Sequence, residues 1–330
     1  MLPGLFILVV AAALLFTFTN GFHDTANAIA TVVSTGVLRP RTAVLMAALL
    51  NLIGAFMGSA VARTISNDLV DPNTATQIVV LAALIGAISW NLFTWYFSIP
   101  SSSSHALVGG LVGAAWAAGG PSAILWGGVT HKVLVPLLVS PLLGFTAAFV
   151  AMVLVYWAVR KSSPRIVNVM FRRLQLFSSA FMAWSHGTND ASKSVGIITL
   201  ALVAGGAVQD TTAPTWVIVS CALAMGTGTA MGGWGIIKTM GSRIFKMRPI
   251  HGFVAETSAA TVIQTCTLLG LPTSTTHCIT SAIMGAGATT RLSAVSWGVT
   301  RRILVAWVIT IPASAGIGWL SWYALHAIGV

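Results

Sequence analysis

Two polar motifs, each set inside an apolar run, occur twice in this chain in the same order and at nearly one spacing. Asn20-Gly-Phe-His-Asp24-Thr-Ala-Asn27-Ala-Ile-Ala returns as His186-Gly-Thr-Asn-Asp190-Ala-Ser-Lys193-Ser-Val-Gly, which sets Asp24 over Asp190 at an offset of 166 positions. Ile99-Pro-Ser-Ser-Ser-Ser-His105 returns as Leu271-Pro-Thr-Ser-Thr-Thr-His277 at an offset of 172, and Gly128-Val-Thr-His as Gly298-Val-Thr-Arg at 170. A chain that repeats itself in this way is expected to fold as two structurally similar halves. The expected division is 1–160, a basic linker over 161–173, and 174–330.

Charge along the chain says how the halves are related. In the first half the loop at Gly36 carries Arg39 and Arg41, while the next, Arg63 to Asn73, holds Asp68 and Asp71. In the second half the order is reversed: the loop near Asp210 is acidic and the next carries Lys238, Arg243, Lys246 and Arg248. Basic loops favour the cytoplasmic side, so equivalent loops lie on opposite sides and the repeat is expected to be inverted in topology. The pair Arg301-Arg302 does not fit this scheme.

That reading presupposes a membrane, and composition requires one. Only 7% of residues are charged and 56% are apolar, against roughly 25% charged in soluble domains. So few charges cannot solvate the surface of a soluble globule. The expected class is an all-α polytopic membrane protein with discontinuous helices, two re-entrant hairpins and about 10 to 12 transmembrane helices, at about 20 residues per crossing. The lipid bilayer is its first partner. The net charge of +11 lies in short clusters between apolar runs, so it marks topology rather than nucleic-acid binding. Cys221, Cys266 and Cys278 have no metal-ligand spacing and read as buried small residues. The first apolar run lacks a basic leader and a cleavage site and leads straight into the first motif, so it is not expected to be a removable signal peptide.

Apolar segments are expected near 2–38, 42–62, 76–97 and 122–158, and again near 174–203, 213–236, 252–270 and 294–326. Between them, 98–120 and 270–289 are too short and too polar to cross twice. As re-entrant hairpins they would dip in from opposite sides and meet at their tips.

The acidic residues are Asp24, Asp68, Asp71, Asp190, Asp210 and Glu256, and three of them fall in apolar segments. A carboxylate at mid-membrane costs about 2.5 to 3.5 kcal/mol even on insertion scales, so Asp24, Asp190 and Glu256 need a purpose. A single one could be a structural pair; two at equivalent positions point to loading and release of a cation. Glycine and short polar residues around each Asp lead us to expect a helix break there, with unpaired carbonyls for a cation and N–H groups for an anion. Lys193 follows Asp190 by three residues, on the same helix face, and can either pair with it or contact an anion directly.

The runs Ser101, Ser102, Ser103, Ser104 and Thr273, Ser274, Thr275, Thr276 follow prolines expected at the N1 position of a helix. Hydroxyls and free amides at a helix start form an uncharged anion cradle. A single such run is usually only a cap. His105 and His277 read as packing residues, since neither has a second ligand at helical spacing. The chain contains no metal-ligand cluster in sequence, nucleophile elbow or nucleotide loop, which argues against an enzyme.

With these residues in hand, the chain resembles the inorganic phosphate transporter (PiT) family over essentially its whole length. The twin signature is matched by Gly21-Phe-His-Asp24-Thr-Ala-Asn27-Ala and Gly187-Thr-Asn189-Asp190-Ala-Ser-Lys193-Ser, and the hairpin motif by Pro100 to His105 and Pro272 to His277. The resemblance implies import of phosphate with a cation across a prokaryotic plasma or inner membrane. Asp24, Asn27, Asn189, Asp190 and the hairpin hydroxyls would bind substrate; Asp24, Asp190, Lys193 and Glu256 would couple it. Sodium-coupled relatives keep a membrane Glu near Asn51 and an Asn at the place of Lys193. Their replacement here resembles the bacterial low-affinity branch, which implies proton coupling and carriage of phosphate, including neutral metal-phosphate. No resident cofactor or metal is implied, only co-transported H+, with Na+ as the alternative. A sulfate permease of the same fold and a passive anion channel are the competing functions, and a homodimer is an assembly open to such a chain.

Overall fold

The computed structural model describes residues 3–208 and 212–329, so Asp210 lies outside the described residues. It is almost wholly helical. Helix α1 spans Pro3–Ser34, α2 Pro40–Ala55, α3 Ala60–Asn67, α4 Gln77–Tyr96, α5 Ser103–Gly119 and α6 Trp126–Val159. The second half adds α7 Pro164–Ala204, α8 Thr215–Met231, α9 Trp234–Arg243, α10 Pro249–Leu268, α11 Thr275–Ala288 and α12 Trp297–Ala327.

The boundaries follow local chemistry. Proline occupies the first turn of α2, α7 and α10, where its missing N–H costs nothing. Thr76 caps α4 by accepting from Val79 N–H at 3.3 Å. Helices α1 and α7 both close over a left-handed glycine, Gly36 at φ +67° and Gly206 at φ +68°. Each is followed by the same carbonyl-capping bond, Val37 N to Val32 O at 3.1 Å and Ala207 N to Leu202 O at 2.9 Å. The linker expected over 161–173 is mostly helix, because Ser163 and Pro164 start α7 within it.

By length and apolar composition four described helices can cross a membrane: α1 from Gly4, α4, α6 and α12. Two bent pairs, α2 with α3 at 68° and α8 with α9 at 62°, can each serve as a further span. Leu138, Leu142 and Trp157 on α6, and Val308 and Leu320 on α12, turn outward. Such an apolar exterior is stable against lipid, not water. The segment expected as one helix over 42–62 is therefore two pieces.

The breaks lie elsewhere than the motifs led us to expect. α1 runs unbroken through Asp24 and α7 unbroken through Asp190. The motif glycines serve close approach instead. A Cβ on Gly21 would stand 2.6 Å from Met225 O, and one on Gly187 2.4 Å from Asn51 Cα and O. Each glycine thus seats the bent helix of the opposite half against the motif helix: α8 on α1, and α2 on α7. The hairpin helices cross in the same manner, α5 against α12 and α11 against α6.

Side-chain volume at Gly187 is therefore expected to separate α2 from α7. Gly187→Ala should destabilise the protein by about 1 to 3 kcal/mol, read as a lower melting temperature in detergent. Gly127→Ala, where a Cβ meets nothing within 4 Å, should leave it unchanged.

Candidate functional site

The two motif helices run past each other with their carboxylates together. One ligating atom each from Asp24, His186 and Asp190 lie within 4.8 Å of one another, all buried. His23 Nδ1 stands 2.7 Å from Asp24 Oδ1. His186 Nε2 lies 3.1 Å from Asp190 Oδ2, and its Nδ1 lies 3.1 Å from Asn51 Oδ1. Lys193 Nζ donates to Asp190 Oδ1 at 2.6 Å. A buried carboxylate is tolerable only when charge and donors meet it so closely.

The hairpins bring helix starts to the same place. Ser102 and Ser274 are the caps, accepting from His105 N–H at 3.3 Å and His277 N–H at 3.2 Å. Pro100 and Pro272 therefore stand two residues before the cap rather than at N1, and they hold the approaching chain extended instead of starting the helix. The tips meet: Ser104 Oγ donates to Thr273 O at 3.5 Å, and the rings of His105 and His277 lie 4.8 Å apart. Amides of Ser103, Ser104, Thr275 and Thr276 stand in the first turns of α5 and α11, where helix dipoles favour negative charge.

One pair of contacts joins motif to hairpin across the halves. Asn27 Nδ2 donates to Thr276 Oγ1 at 2.9 Å and to Thr275 Oγ1 at 3.1 Å. Lys193 Nζ donates to Ser104 Oγ and to Thr273 O at 2.8 Å. Asn27 and Lys193 are equivalent motif positions, and Ser104 and Thr276 are equivalent hairpin positions 172 apart. Thr275 also donates to Asp190 Oδ2 at 3.2 Å, and Thr276 to Asp24 Oδ1 at 3.5 Å. Lys193 thus pairs with Asp190, as one of the two roles left open for it expected, and reaches the hairpin tips as well.

Other expected residues divide. Ser101 Oγ donates to Thr94 Oγ1 at 2.8 Å, on the Asp24 side through His23. Asn189 Nδ2 turns to Thr267 Oγ1 at 2.7 Å, while its Oδ1 is buried without a partner among the described residues. Ser103 Oγ is likewise buried and unpartnered. Glu256 stands apart from the hairpins: it accepts from Thr31, from Ser178 and from Gln175 Nε2 at 3.1 Å. Thr31 lies one helical turn beyond Asn27, so the two clusters share α1. Sequence reasoning missed His23, His186, Thr94 and Thr267. Their one signal was a polar side chain within a motif or a few residues before one.

Chemically the site unites two carboxylates, one ammonium, two imidazoles, a ring of hydroxyls and two helix starts. It can hold an oxyanion by its donors only if a cation or proton offsets the aspartates.

A family model described as the phosphate transporter family matches residues 20–318. A probable low-affinity inorganic phosphate transporter of Bacillus subtilis is 47% identical over 325 residues, covering 98% of this chain and 97% of that protein. One of the same description from Rhizobium meliloti is 48% identical over 97% of this chain and 96% of its own length. A solved structure described as the sodium-dependent phosphate transporter superposes with a TM-score of 0.90 at 25% identity, covering 98% of this chain and all of the other.

Removing Lys193 alone would leave Asp190 charged and buried. Lys193→Met is expected to cost about 3 to 5 kcal/mol, whereas Lys193→Met with Asp190→Asn should recover most of that loss. Unfolding in detergent, run as a double-mutant cycle, measures the difference.

Proposed function

The chain belongs to the phosphate transporter family and is not an enzyme, and on that premise we propose that it is a secondary active transporter importing inorganic phosphate by proton symport across a bacterial plasma membrane. The observation that carries the reading is the Lys193 contact set, Asp190 on one side and the hairpin tips on the other.

In this reading phosphate lies between the starts of α5 and α11, received by amides of Ser103, Ser104, Thr275 and Thr276 and by hydroxyls of the same runs. Ser103 Oγ, a buried hydroxyl without a partner, supports it. Asp24 and Asp190 would repel an incoming phosphate if both stayed ionised and uncompensated, so the proton is carried at these carboxylates, next to His23 and His186. Lys193 favours a proton over Na+ as the coupling ion. At about 4 Å and an effective dielectric near 20 its ammonium repels Na+ by about 4 kcal/mol, enough to offset most of a weak sodium site. A proton needs no oxygen cage. Glu256 belongs to the coupling pathway through Thr31, one turn along α1 from Asn27.

Halves 1–160 and 174–330, joined by 161–173, are read as inverted-topology repeats whose relative rocking opens the site to one side and then the other. The paired crossings of helices and the equivalent Asn27 and Lys193 contacts support this. Occlusion of the whole cluster, with Asp24 at 2% and Asp190 at 0% exposure, suits a carrier rather than an open channel.

A second reading, phosphate carried as a neutral complex with a divalent metal, is favoured by the Asp24, His186 and Asp190 cluster. Two carboxylates and an imidazole suit a borderline cation, and the metal would travel as cargo.

Uptake of labelled phosphate into proteoliposomes tests the main reading. An outwardly alkaline gradient should fail to drive uptake and an acid exterior should drive it several-fold, with Na+ replaceable by choline and sulfate unable to compete. Asp24→Asn is expected to reduce driven uptake at least ten-fold. If sodium removal stops uptake at a fixed pH gradient, the proton assignment fails; flux that never accumulates phosphate against its gradient would make the protein a channel.

A further inference from the structure

A second polar cluster lies where α6 ends, α7 begins and α10 begins, away from the site described above. Residues 156–175 carry Arg160, Lys161, Arg165, Arg172 and Arg173, and residues 238–251 carry Lys238, Arg243, Lys246 and Arg248, with no Asp or Glu in either stretch. A cavity of about 410 Å³ opens between them, lined by Tyr156, Ser162, Asn168, Arg248 and His251.

Its donors are aimed by a short relay. His251 Nδ1 accepts from the Arg248 backbone N–H at 3.0 Å. The ring proton of the neutral imidazole therefore sits on Nε2, which donates to Tyr156 Oη at 2.9 Å. Tyr156 is left with its own phenolic proton to give, its other neighbour being Thr290 Oγ1 at 3.4 Å. The Arg248 side chain is exposed and enters no ion pair among the described residues. A guanidinium, a phenol O–H, an amide and a hydroxyl around one cavity, with no acidic residue in either stretch, suit an oxyanion of the phosphate-ester kind.

The rim says from where that anion comes. Trp157 is 66% exposed and lies under the Arg160 guanidinium at 5.0 Å, a pairing expected at the membrane–water boundary. The cavity wall is itself apolar beside these donors, with Val159, Val167 and Ile250 in its lining. Basic residues beside an apolar lining match a molecule with an anionic head and a hydrocarbon tail, not a free ion. We propose that this cavity binds the phosphodiester of an anionic phospholipid, held by Arg248, Tyr156 and Asn168, with the acyl chains lying against Val159, Val167 and Ile250. Such a lipid would brace the junction between the two halves.

Native mass spectrometry of the full-length protein in detergent, titrated with dioleoyl phosphatidylglycerol or dioleoyl phosphatidylcholine, tests the proposal. The first phosphatidylglycerol should bind about ten-fold more weakly to Arg248→Gln and measurably more weakly to Tyr156→Phe, and phosphatidylcholine should bind the wild type weakly. Arg248 is at the surface, so Arg248→Gln should melt as the wild type does, and Tyr156→Phe, which gives up the bond to His251, is the second, independent substitution. Equal binding of phosphatidylglycerol to wild type and both variants, or equal binding of the two lipids, overturns the site. Displacement of phosphatidylglycerol by micromolar glycerol 3-phosphate overturns the lipid assignment and makes the ligand a soluble phosphate ester.

Discussion

Asp190 is a carboxylate with 0% exposure inside a helix, and the surrounding structure can be understood as the set of groups required to keep it there. Lys193 supplies charge from one turn away, Thr275 donates a hydrogen bond and His186 stands at 3.1 Å, and withdrawing Lys193 would leave the charge unpaired in a medium of low polarity. Thr275 belongs to the opening turn of α11 and Ser104, which Lys193 also touches, to that of α5. Solvating one buried charge therefore draws the two hairpin tips onto the motif helix. Asp24, with His23 and Thr276, repeats the demand on the other side.

The crossing of the halves makes this possible. Gly21 and Gly187 permit backbone-to-backbone approach of α8 to α1 and of α2 to α7, which seats the carboxylates of two distant segments within one small volume. Neither half could assemble the cluster alone, because Asn27 reaches a hairpin of the second half and Lys193 one of the first. Rocking of one half against the other would then break and remake these contacts in step with the charge on the aspartates. That is the physical content of the coupling proposed here.

Much of this was legible in the sequence. The duplication, the buried aspartates and the hydroxyl runs at helix starts follow from spacing and from the cost of burying polar groups, and the structure brings them together. The place of the helix breaks was not legible. A glycine beside short polar residues in an apolar run is equally compatible with a break and with close approach of another helix, and only what packs opposite decides. Met225 and Asn51, far along the chain, make that decision. His23 and His186 were passed over for a related reason: their worth lies in facing Asp24 and Asp190, and half of that geometry depends on how α1 and α7 pass each other. Glu256 was legible as a buried charge, but its distance from the hairpins depends on the register of α10 against α7, set by Gln175 and Ser178.

The central claim is that the oxyanion is held between the starts of α5 and α11 within reach of the paired aspartates. A structure determined at saturating phosphate tests it most directly. A tetrahedral anion is expected against the Ser102–Ser104 and Ser274–Thr276 turns, with Lys193 Nζ among its neighbours. Phosphate bound beside Glu256, or anywhere away from both hairpin tips, would contradict it.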